Sequence, residues 1–72
     1  MEPKNIADIT LREMLVNMLG EENANKVLES VQFQYNQGIR GSELASFAES
    51  EIQQYPLNTD IRIPIAIIKD II

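Results

Sequence analysis

Apolar residues return at helical spacing along most of the chain. Leu11, Met14, Leu15, Met18 and Leu19 recur three or four residues apart and predict a first helix over 10–19. Thr10 and Glu13 form an S/T-x-x-E capping box at its start, Ile9 and Met14 occupy hydrophobic-staple positions, and Gly20 is the expected left-handed stop. A second stripe, Ala24, Val27, Leu28, Val31 and Tyr35, predicts a helix over 21–37 that opens on Glu21 and Glu22, pairs Glu22 with Lys26, and ends at Gly38. Val31 to Tyr35 also alternates with period two, which admits a short strand, but the unbroken stripe from Ala24 favours the helix.

Gly38-Ile39-Arg40-Gly41 reads as a turn whose glycines can take positive φ. Ser42 is placed to cap a third helix over 42–55, with Leu44, Phe47, Ala48, Ile52 and Tyr55 as its apolar positions and Pro56 as its stop. Ser42, Ser46, Glu49, Ser50 and Gln53 make its solvated side, and 56–60 form a turn-rich connector.

The last twelve residues hold seven isoleucines and end on Ile71-Ile72, so this end is expected to be buried against the chain's own core or another chain. As a strand, Ile61, Ile63, Ile65 and Ile67 point one way, but the alternation fails at Ile68 and Pro64 demands an edge. As a helix with Pro64 opening its first turn, Ile65, Ile68 and Ile72 form one ridge and Ile67 with Ile71 a second. The helix is preferred. The expected fold is all-α, a compact bundle of four short helices at about 10–19, 21–37, 42–55 and 64–72. Residues 1–9 are an N-terminal arm and 10–72 a single helical domain.

Composition narrows how such a fold is stabilised. Seventy-two residues give a core of marginal size, and the chain has no cysteine for a disulfide and no histidine for a transition metal. A metal would have to be held by carboxylates and carbonyls alone, which favours hard ions such as calcium or magnesium, so oligomerisation is the most available device and a homo-oligomer is expected. Eleven acidic against six basic residues give a net charge of −5, which disfavours nucleic acid and anionic lipid. The longest uncharged stretch of the isoleucine run, 63–68, is far short of the roughly 20 residues that span a bilayer. Met1-Glu2-Pro3-Lys4 lacks the apolar region of a signal peptide, and a cytoplasmic location is expected.

Candidate chemistry is sparse. Without histidine or cysteine, catalysis would fall to carboxylates, serines, lysines or tyrosines, and no spacing sets two carboxylates on one helix face. Glu51 borders an apolar face; Ser42, Ser46 and Ser50 line up at four-residue steps with no base beside them. The glycine turn lacks the lysine and strand of a phosphate loop, leaving Arg40 only as a partner for an anionic group. No catalytic residue, cofactor or metal site is expected. Met14 and Met18 read as core filling, whereas Phe33 falls off its helix's stripe, so its ring should be exposed unless covered by a partner.

From Gly38 onward, a glycine-bounded turn, an acidic helix opening Ser42-Glu43-Leu44, a connector and a closing Pro-x-x-Ile-Ile helix loosely resemble the second half of acyl carrier proteins. The resemblance covers about half the chain and implies a phosphopantetheine arm on Ser42. The family's serine follows aspartate and precedes leucine, whereas Ser42 follows Gly41 and precedes Glu43. The leading expectation is instead a non-enzymatic protein–protein interaction module, a homodimer formed through Phe33, Ile67, Ile68, Ile71 and Ile72, with a larger protein as a further partner. The alternatives are a carrier-like domain and an acidic inhibitor or antitoxin-type binder.

Overall fold

The computed structural model describes residues 5–6, 8–57 and 60–71, and its first helix starts earlier than the capping box implies. Asp8, in extended conformation, accepts a hydrogen bond from the Leu11 N–H (2.8 Å) and caps α1, Ile9–Leu19. Thr10 therefore lies inside the first turn, and the expected Thr10–Glu13 box and Ile9–Met14 staple give way to an aspartate cap. A carboxylate at this position both satisfies a free backbone donor and complements the positive end of the helix dipole. Ile9 is left 75% exposed.

Gly20 alone joins α1 to α2, Glu21–Asn36. Its N–H donates to the Val16 carbonyl (2.8 Å) and its own carbonyl accepts from the Ala24 N–H (2.9 Å), so one residue closes one helix and opens the next. The backbone there is φ 88°, ψ 159°, a region essentially confined to glycine and distinct from the left-handed helical stop that was expected. Ile6, ahead of α1, donates its N–H to Gln32 Oε1 (2.9 Å), which sets the start of α1 beside the far half of α2 and makes the pair antiparallel.

The period-two reading of Val31–Tyr35 fails because the helix runs through it, and all five stripe residues, Ala24, Val27, Leu28, Val31 and Tyr35, are buried. Its end is a Schellman motif: Ile39 N–H reaches the Gln34 carbonyl (3.1 Å) and Gly38 N–H the Tyr35 carbonyl (3.0 Å), with Gly38 at φ 96°. The Arg40 guanidinium donates to the Tyr35 carbonyl (2.6 Å) and sits 3.5 Å from the centroid of the Tyr35 ring. Arg40 thus closes α2.

Helix α3 spans Gly41–Ile52, shorter than the expected 42–55. Its cap position falls on Arg40, and Ser42 lies within the first turn rather than capping it. Leu44, Ala45, Ala48 and Ile52 face the core, Phe47 is half-buried, and Tyr55 follows the helix in a turn. Helix α4 spans Arg62–Lys69 instead of 64–72. Asp60 Oδ1 accepts from the Arg62 N–H (2.9 Å) and fixes that start, which leaves Pro64 as the third helical residue, where a missing N–H still costs nothing.

Each helix packs on its neighbours in chain order, and α4 closes the ring against α1, so that α2 and α4 are diagonal, with no close approach of their backbones. Leu11, Leu15, Val27, Val31, Leu44, Ile52 and Ile68 are fully buried or nearly so at the centre, and among the described residues no polar or charged side chain is buried with them. Ile6, from the expected N-terminal arm, joins this core.

Candidate interaction surface

The inner face of α4 completes the core, and its outer face is apolar as well. Helical geometry places Ile63, Ala66, Ile67 and Asp70 in one row, because positions three and four apart share a face. Ile63 is 65% exposed, Ala66 is exposed and Ile67 half-buried. With Asp60 and Arg62 they line an open groove of about 540 Å³. The start of the groove is fixed by the Asp60–Arg62 ion pair, in which Arg62 Nε donates to Asp60 Oδ2 (2.7 Å) and a terminal guanidinium nitrogen approaches the same oxygen (2.6 Å). The Arg62 side chain and then its backbone N–H, both donating to the carboxylate, hold Asp60 below the usual carboxylate range, and Arg62 is raised in turn.

The expected interface set is divided by this geometry. Ile68 is 0% exposed within its own chain, so it is core and has no surface to offer a second molecule. Ile67 and Ile71 are half-buried and pack on that core; Ile71 lies beyond the helix end, and Ile72 falls outside the described residues. Phe33 is 60% exposed, as its position off the stripe required. It lies on α2, in a shallow groove with Glu29, Ser30, Gln34 and Phe47. Because α2 and α4 are diagonal, Phe33 and Ile67 belong to separate surfaces. Ile63 and Ala66 were not expected. Reading the helix from Arg62 exposes the missing signal, since Ile63 then stands one turn before Ile67.

The remaining polar clusters are occupied with structure. A second groove of about 500 Å³, beside Phe33, is lined largely by amides. Within it Arg12 donates to Asn25 Oδ1 (2.6 Å) and Gln32 accepts from the Ile6 N–H, bonds that tie α1 and the preceding segment to α2, while Gln32 also donates to Asn36 Oδ1 (2.9 Å) one turn along its own helix. Ser42, Ser46 and Ser50 are exposed on the outer side of α3. Among the described residues no group of three or more acidic side chains converges as a metal site, and no helix is long and apolar enough to cross a membrane.

Among the described residues, these features define a small all-α domain of four helices carrying an apolar face on its last helix. No protein-family model matches the chain, and no curated protein or solved structure matches it either.

Proposed function

We propose that this chain is a non-enzymatic protein–protein interaction module that self-associates through the outer face of α4. The observation that carries the reading is Ile63, a large aliphatic residue 65% exposed in a row with Ala66 and Ile67. Full burial of an isoleucine gains about 1.5–3 kcal/mol, so covering Ile63 and the open part of Ile67 on each of two chains supplies a driving force without any change in the fold. Ile63, Ala66 and Ile67 share their groove with Asp60, Arg62 and Asp70, so charged groups border the apolar row as they do the core of an interface.

Sedimentation across a wide range of protein concentration tests the proposal. The parent chain should shift from monomer to dimer as concentration rises, and Ile63→Lys should remain monomeric with an unchanged helical circular-dichroism spectrum, because the position lies outside the core. A parent chain that stays monomeric into the millimolar range would remove the proposal.

A further inference from the structure

The charges along the chain are unevenly shared. Residues 1–59 hold nine acidic and four basic side chains, which account for the entire net charge of −5, whereas residues 60–72 hold two of each. Two copies meeting through most of their surface would therefore bring like charge together. The α4 face is the segment on which they can meet without that repulsion.

The order of the charges selects an orientation. Asp60 and Arg62 stand at the start of α4, Lys69 and Asp70 at its end, and Arg62 and Asp70 lie equally far in sequence from Ala66. A parallel pair of α4 helices would set Arg62 against the partner's Arg62 and Asp70 against the partner's Asp70. An antiparallel pair centred on Ala66 reverses this: Arg62 comes to the partner's Asp70, and Asp70 to the partner's Arg62. The same operation brings Ile63 of each chain to within two residues, about 3 Å along the helix axis, of the partner's Ile67, so that the exposed aliphatic side chains of the two copies lie in one strip. Ala66 is the smallest side chain of the exposed row and falls at the crossing point, where it permits close approach of the backbones.

We infer that two copies of this chain pair isologously, with their α4 helices antiparallel about a two-fold axis at Ala66. The inference rests on the proposed function and adds its geometry. An eight-residue helix is about 12 Å long, so the contact lies at the small end of specific interfaces and the dimer is a weak one, roughly micromolar or weaker. Phe33, on the diagonal helix, stays uncovered in such a pair.

The absence of cysteine makes the axis directly measurable, since a single introduced thiol is the only one present. Under mild oxidation at a concentration where sedimentation detects dimer, full-length Ala66→Cys should form a disulfide-linked dimer at least about tenfold faster than Ser46→Cys, an exposed control on α3. Circular dichroism verifies that both variants fold. A dimer in sedimentation with equal cross-linking rates for the two variants overturns the antiparallel axis and leaves self-association standing; a parent chain that remains monomeric overturns both. Added salt separates the charge element, because rim pairs in this arrangement should weaken by several-fold between 20 mM and 500 mM, whereas a salt-independent dimer argues against the Arg62–Asp70 contacts.

Discussion

Ile68→Ala contrasted with Ile63→Ala isolates the two faces of α4. Ile68 has no solvent exposure and packs in the shared core of the bundle, so truncation removes buried methyl groups and leaves a cavity that helices held on several sides close only partly. Such substitutions cost about 2–5 kcal/mol, against a whole-chain stability of roughly 4–11 kcal/mol for a domain of this length. Since 1 kcal/mol moves the melting midpoint of a 60–100-residue domain by about 4–8 °C, Ile68→Ala should melt at least about 10 °C lower. Ile63 differs by one turn and one residue in sequence but is mostly in water, and its truncation should change monomer stability by no more than about 0.5 kcal/mol. Thermal melts followed by circular dichroism, run dilute enough to exclude association, read both values. Midpoints of the two variants within a few degrees of each other would refute the division of α4 into a core face and a free face.

Two further outcomes follow from the ends of the helices. Gly20→Ala should cost about 1–3 kcal/mol in denaturant unfolding, and wholly through the backbone: φ 88°, ψ 159° is strained for any side chain, yet a Cβ there would meet nothing within 4 Å, so a near-neutral result would show that the α1–α2 junction is not held in that conformation. Asp60 has a lowered folded pKa, so its support for the start of α4 is present above the unfolded value of about 3.9 and is lost as pH falls through the folded value; Asp60→Asn, which keeps an acceptor for the Arg62 N–H, should flatten that part of an acid titration monitored by helicity, and an unchanged acid limb counts against the ion pair.

The interior of this fold was legible where a single local signal determined it. The α2 stripe is buried residue for residue because amphipathic period alone decides which side of a sixteen-residue helix faces inward. The starts of helices were harder, because neighbouring residues compete for the same role. Asp8 and Thr10 are both cap formers, and the charged one prevails. At α4 Pro64 is tolerated anywhere in the first turn, so it does not fix the boundary; Asp60 does, through its bond to the Arg62 N–H. That two-residue shift transfers the exposed apolar row from Ile67 and Ile71 to Ile63, Ala66 and Ile67, and with it the candidate interface. The separation of Phe33 from Ile67 depends on the ring order of the helices, a tertiary property that no local period encodes.

The consequence for α4 is that one short element answers to two surfaces. An isolated helix of eight residues is far below the length at which helices persist in water, so α4 exists because its inner face is docked on α3 and α1 through Ile68. Its outer row is consequently presented only while that docking holds, and Ile63 and Ala66 lose their common face once it is released. Under the proposed pairing, folding and association would be linked: a second copy covering the outer row would also favour the docked helix, by mass action, while weakening of the inner contact at Ile68 would remove the interface without touching it. Under the proposed self-association, a chain with a marginal core and no disulfide would gain stability from its own concentration, and the charge-balanced α4 segment is where that gain would enter.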